Sequence, residues 1–182
     1  MKNGKMTLKL TAALAMLSAI SIILGKYLAI SGGEVLRFSL ENLPIIFAGA
    51  AFGPVAGALV GAVADLVGCL MVGYTINPVV TAGAITIGVM SGGVWKICKK
   101  FSLPTWASCA LAVTMSHIAG SVMIKTVGLA AYYDMHIGIL MLWRLFNYII
   151  VGGIEGALLF YLMKNKMITE AILSITGKGG KR

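Results

Sequence analysis

Long apolar runs separated by short turns constrain this chain more than any other feature. From Leu8 to Ile30 only Lys9 and Lys26 carry charge, and further stretches run from Val55 to Val72, Val79 to Trp95, Trp106 to Leu129 and Ile139 to Met163. A helix crosses a bilayer with about 20 apolar residues, so these runs read as membrane spans. The first exceeds the roughly 7–15 residues of a signal-peptide core and is read as a span too. Leu43 to Phe52 is too short to cross unless Leu36–Leu40 continues the same helix, which places a second span at 36–52. Composition agrees: 12% of residues are charged and 59% hydrophobic, where soluble domains average roughly 25% charged.

The predicted fold class is an all-α integral membrane protein. Its six-helix domain covers 1–164, with spans at about 8–30, 36–52, 55–72, 79–95, 106–129 and 139–163. Residues 165–182 read as a basic cytoplasmic tail without fixed structure. Six spans put both termini on one side, together with the turn at Phe52-Gly53-Pro54 and the loop Lys96–Pro104. That side holds 11 of the 15 Lys and Arg residues: Lys2, Lys5, Lys9, Lys96, Lys99, Lys100, Lys164, Lys166, Lys178, Lys181 and Arg182. The positive-inside rule then makes both termini cytoplasmic. The net charge of +9 is a topology label on this reading, and a nucleic-acid partner is not expected.

Two bases, Lys125 and Arg144, and two acids, Asp65 and Glu155, remain within the spans. Each costs about 2.5–3.5 kcal/mol at a helix centre, so they are either structural ion pairs or functional groups. Lys125 and Arg144 are expected near the outer ends of their spans, Asp65 near mid-depth and Glu155 deeper. With Arg37 the two bases form an outward-facing basic mouth suited to an anionic solute. Phe38, Tyr74, Tyr132, Tyr133 and Trp143 share this rim with the amides of Asn42, Asn77 and Asn147. Aromatic residues at this depth form interface belts; beside amides and cations they can also stack on a planar ring and read its edge.

Gly49, Gly53, Gly57 and Gly61 recur every four residues in register with Asp65, and Gly88/Gly92, Gly152/Gly156 and Ala15/Ala19 repeat the spacing. Such small-xxx-small seams let helices approach closely, and the alanine seam of the first span is the candidate outer docking face. No Walker A pattern, G-x-G-x-x-G, H-E-x-x-H or G-x-S-x-G occurs, so neither ATP hydrolysis nor other catalysis is expected of this chain. Cys69, Cys98 and Cys109 show no CxxC pair, and neither a metal nor a cofactor is expected. His117 reads as a satisfied interior group and His136 as an exposed loop residue.

The run Leu36-Arg37-Phe38-Ser39, Leu43-Pro44-Ile45, Gly49, Phe52-Gly53-Pro54, Gly57, Gly61, Asp65 and Gly68 resembles the substrate-binding S components of energy-coupling-factor (ECF) vitamin transporters, and their folate branch most. The resemblance continues through Gly73-Tyr74, Pro78 and Gly88 to Lys125-Thr126 and Leu142-Trp143-Arg144. It departs at Ile76-Asn77-Pro78, where folate-branch members often carry Phe-Pro.

The resemblance implies a cell-membrane subunit that captures a vitamin from outside, folate or a related pterin, and works with a transmembrane coupling protein and two ATPases. It implies that Ala15 and Ala19 meet the coupling protein. Substrate contacts are expected from Arg37, Phe38, Tyr74, Asn77, Lys125, Arg144 and Asn147, with Asp65 and Glu155 as structural or coupling charges. Two other functions stay open: an S component for another vitamin, such as pantothenate or riboflavin, and a stand-alone proton-coupled transporter of small solutes using Asp65 and Glu155.

Overall fold

A computed structural model describes residues 8–31, 37–133 and 136–177, with the backbone alone at Ser31, Arg37 and Tyr133. Helix α1 (Leu8–Ile22) runs on into a π-helical stretch, π1 (Ile23–Tyr27). Two short strands follow, β1 (Ile30–Ser31) and β2 (Arg37–Phe38), antiparallel with Ile30 opposite Phe38. Then come α2 (Asn42–Phe52), α3 (Pro54–Val72), α4 (Pro78–Lys100) and α5 (Thr105–Ser116), the last extended by a second π-helix, π2 (His117–Lys125), and by α6 (Thr126–Tyr133). Helices α7 (Ile137–Lys164) and α8 (Lys166–Thr176) complete the chain.

Among the described residues, five helices are long and apolar enough to cross a membrane, and α2 is a shorter apolar helix. Short connections make successive helices run up and down. One end of the bundle, called proximal, carries the start of α1, the α2–α3 and α4–α5 turns and α8. The distal end carries the β1–β2 pair and the α3–α4 and α6–α7 connections.

Local sequence sets the helix limits. Gly53 (φ 103°) breaks the chain between α2 and α3, in a region side-chain-bearing residues avoid, and Pro54 then opens α3, where its missing N–H costs nothing. Gly73, in the left-handed region, ends α3. Asn77 caps α4, its side chain accepting from the Val79 and Val80 N–H groups, with Pro78 at the first turn.

Glycine also sets the packing. Helices α3 and α4 meet backbone to backbone: a Cβ on Gly57 would lie 2.5 Å from Gly88 O, and one on Gly92 would lie 2.5 Å from Pro54 N. Gly83 and Gly120 bring α4 and π2 together in the same way, a Cβ on Gly120 falling 2.6 Å from Gly83 O. Around this glycine-lined centre Ile46, Val60, Ile87, Val113 and Leu159 are fully or almost fully buried.

Three expectations from the sequence need correction. Residues 37–40 do not continue α2: residues 37–38 are extended, pairing with β1, and the helix begins only at Asn42, while Leu36 lies outside the described residues. The segment after Lys164 is helical over Lys166–Thr176, and residues 178–182 lie outside the described residues. Asn165 caps α8 through the Met167 and Ile168 N–H groups, and Ile168, Ile172 and Ile175, spaced on one face, turn toward the bundle and are half-buried. The Gly152/Gly156 repeat is not a packed seam. A Cβ on Gly156 would meet nothing within 4 Å, and both glycines line an apolar groove of about 600 Å³ with Trp106, Ile149 and Phe160.

Candidate functional site

Lys26, Glu41, Lys125 and Arg144 lie toward the distal end of the bundle and Glu155 nearer the proximal end of α7, and the two π-helices carry Lys26 and Lys125. Hydrogen bonding from i to i+5 adds a residue to each turn and re-aims the side chains that follow. Lys26 lies in π1, and π2 begins at His117 and ends at Lys125.

Lys125 is buried, 4% exposed. Its ammonium stands 3.4 Å from Glu41 Oε1 and 3.5 Å from Asn42 Oδ1, both at the start of α2. Ser21 on α1 donates to the Glu41 carbonyl at 2.6 Å, tying α1 to the same point. Asp65 on α3 accepts a 2.6 Å hydrogen bond from the Thr81 hydroxyl on α4. Lys26 lies 5.5 Å from the centre of the Tyr74 ring, within cation–π range, and its Nζ is 3.8 Å from Cys69 Sγ. Ser21, Lys26, Glu41, Asp65 and Lys125 line a common cavity of about 20 Å³.

A second polar group joins π2 to α7. His117 Nε2 lies 2.5 Å from Glu155 Oε2, and His117 Nδ1 is 3.2 Å from Ser121 Oγ. The His117 ring stacks on Tyr148 with centroids 4.5 Å apart. Arg144 in turn lies over Tyr148, 5.7 Å from its centre, and donates to the Ser121 carbonyl at 3.4 Å.

The residues singled out from sequence therefore fall into separate places. Lys125 and Asp65 share the distal cavity, and Tyr74 stands beside Lys26 at its edge. Arg144 belongs to the His117–Tyr148 stack, and Asn147 is buried on the same helix. Asn77 caps α4 and donates to Gly128 O at 3.0 Å, so its amide ties α4 to α6. Phe38 is half-buried in β2, while the Arg37 side chain lies outside the described residues. Ala15 and Ala19 are exposed on the outward face of α1 beside Met16 and Ile20.

Neither acid of the spans has Lys125 or Arg144 as its hydrogen-bonding partner: Asp65 meets Thr81, and Glu155 meets His117. Lys125 is instead paired with Glu41, which is not among the residues singled out from sequence. The available signal was position, since an acid directly before Asn42 and Pro44 sits at a helix start, where negative charge is favoured. Ser21, Thr81 and His117 gave none beyond being polar within apolar runs. Among the described residues no group of three or more His, Cys, Asp or Glu side chains could hold a metal.

Residues 9–169 match the family model described as "ECF transporter, substrate-specific component". Three solved structures share the fold. The crystal structure of FolT bound with folic acid has a TM-score of 0.70 at 22% identity, covering 88% of this chain and 95% of that one. The S component of a bacterial ECF transporter has a TM-score of 0.66 at 21% identity, covering 86% and 94%. The S-component for biotin from an ECF-type ABC transporter has a TM-score of 0.67 at 17% identity, covering 91% and 95%. No curated protein matches the chain.

Proposed function

Because the chain belongs to the family of substrate-specific components of ECF transporters, we propose that the vitamin it captures is folate or a related pterin, bound at the distal end. The observation that carries this reading is Lys125, a buried ammonium among hydrogen-bonding groups at the distal end. A cation held in a low-dielectric site attracts an anion far more strongly than one in water. Folate offers two carboxylates and a planar pterin. The carboxylates suit Lys125, with Arg144 and Arg37 as further cations, and the pterin suits Tyr74, Phe38, Asn77 and Asn147. The likeness of the fold to FolT bound with folic acid supports the choice of vitamin.

The distal end faces outward on this reading, since Lys96, Lys99 and Lys100 at the end of α4, with Lys164 and Lys166, gather at the proximal end, the cytoplasmic one by the positive-inside rule. Helix α2 is then the short crossing of six, and the protein is a multi-pass subunit of the cell membrane. A transmembrane coupling protein and two ATPases would supply the energy. The exposed Ala15–Ala19 face of α1 offers the coupling protein a close backbone approach. Asp65 and Glu155 serve to brace the helices through Thr81 and His117.

Mass spectrometry of small molecules that co-purify with the detergent-solubilised protein tests the reading. A pterin is the expected result. Pantothenate, riboflavin or another vitamin would keep the family and replace the ligand. A protein that carries nothing and shows no thermal shift with any water-soluble vitamin would overturn the proposal.

A further inference from the structure

The cavity beside Lys125 is far too small for a vitamin. It holds about 20 Å³, room for about one water, where small-molecule sites measure roughly 300–1,000 Å³. Part of the chain fills the place. Glu41 is the N-cap residue of α2, yet its side chain makes no capping hydrogen bond. Its carboxylate turns instead to Lys125 and packs against α1 at Gly25, where a Cβ would lie 2.5 Å from Glu41 Oε2.

The contact is long and unequally exposed. Its 3.4 Å separation exceeds the roughly 2.7–2.9 Å of a tight charge-assisted bond. The two partners also differ in exposure: the Glu41 side chain is 26% exposed and that of Lys125 only 6%. Lys125 is therefore the fixed partner and Glu41 the one with access to a way out.

We propose that Glu41 is an internal stand-in for a carboxylate of the ligand, neutralising Lys125 in the empty protein and yielding it when an anionic ligand enters. The proposal rests on the vitamin-binding reading above and makes Glu41 a specificity-determining residue of that site. A buried cation stripped of its partner is strongly destabilising. A ligand with a carboxylate replaces like with like and keeps Lys125 paired. A neutral ligand must break the Glu41 contact and offers nothing in return, so the site rejects it. Because the Glu41-bound state is closed to the ligand, the observed affinity is the intrinsic one multiplied by the competent fraction, and so is lowered by that population.

Two variants test this in the full-length protein. Glu41→Ala empties the position, and sodium acetate at constant ionic strength is expected to raise its melting temperature saturably while leaving the wild type unmoved. Glu41→Gln keeps the shape without the charge, and is expected to bind folic acid on the order of tenfold more tightly than the wild type. Equal or weaker folic acid binding by Glu41→Gln, with wild-type binding intact, would overturn the proposal, as would a Glu41→Ala protein indifferent to acetate. Acetate rescue without folic acid binding by either protein would remove folate as the ligand and leave carboxylate exchange at Lys125 standing.

Discussion

His117 on π2 and Glu155 on α7 are joined by a 2.5 Å contact between Nε2 and Oε2, and both side chains are buried. The pair fastens α7, the most loosely packed of the long helices, to the glycine-lined centre of the bundle. Tyr148 stacks on His117 one turn above Gly152 and carries the connection on to Arg144.

Truncating Glu155 should therefore loosen α7. Glu155→Ala is expected to cost about 3 kcal/mol by leaving His117 in a dry site without its acceptor, and Glu155→Gln about 1 kcal/mol because an amide oxygen still accepts. Thermal unfolding in detergent measures both. Uptake by the complete transporter should persist in Glu155→Gln. Loss of uptake with stability and ligand binding retained would revive the proton-coupled reading.

Lys125 and Arg144 should differ in their effect on ligand binding. Lys125→Ala is expected to weaken folic acid by 2 kcal/mol or more, about thirtyfold, the range for removing one partner of a buried charge pair. Arg144→Ala should cost less, since the guanidinium is already engaged by Ser121 O and the Tyr148 ring. Both proteins should still insert. Titration of the purified variants checks the order, and equal affinities in all three proteins would remove these residues from the site.

Glycine substitutions should divide by what a Cβ would meet. At Gly88 it would collide with the Gly57 backbone, its separation from Ala58 N being 2.6 Å, so Gly88→Ala must push α3 and α4 apart and is expected to cost about 2 kcal/mol or more. Gly156→Ala enters open space and should be neutral or gain up to about 1 kcal/mol from helix propensity. Melting temperatures of the two variants would decide, and a stable Gly88→Ala protein would contradict the close approach.

The α1 face offers a separable test of partnership. Ala15→Leu or Ala19→Leu adds bulk to an exposed surface, so folic acid binding and stability should be unchanged while cellular uptake falls to background. Uptake at wild-type levels would show that this face does not meet the coupling protein.

The sequence carried the bundle further than it carried the site. Asn77-Pro78, Gly53-Pro54 and Gly73 mark helix limits because capping and backbone conformation depend on a few neighbouring residues, and the Gly57/Gly88 approach is foreshadowed by spacing alone. Asn77, expected on the rim as a ligand contact, also caps α4, a role its position before Pro78 announces. The Leu36–Leu40 segment misled because apolar residues suit a strand and a helix equally, and the pairing of Ile30 with Phe38 decided between them.

Apolar run length is a property counted along the chain, and by itself it determined that this is a helical membrane protein. Which acid meets which base was decided by tertiary structure alone. Glu41 and Lys125 are 84 residues apart, and His117 and Glu155 are 38 apart. Their meeting depends on the π-helical turns between His117 and Lys125 and on the glycines that let α4 and π2 touch. Charge balance along a sequence leaves such partners open, because burial penalises every unpaired charge alike and geometry selects the pair.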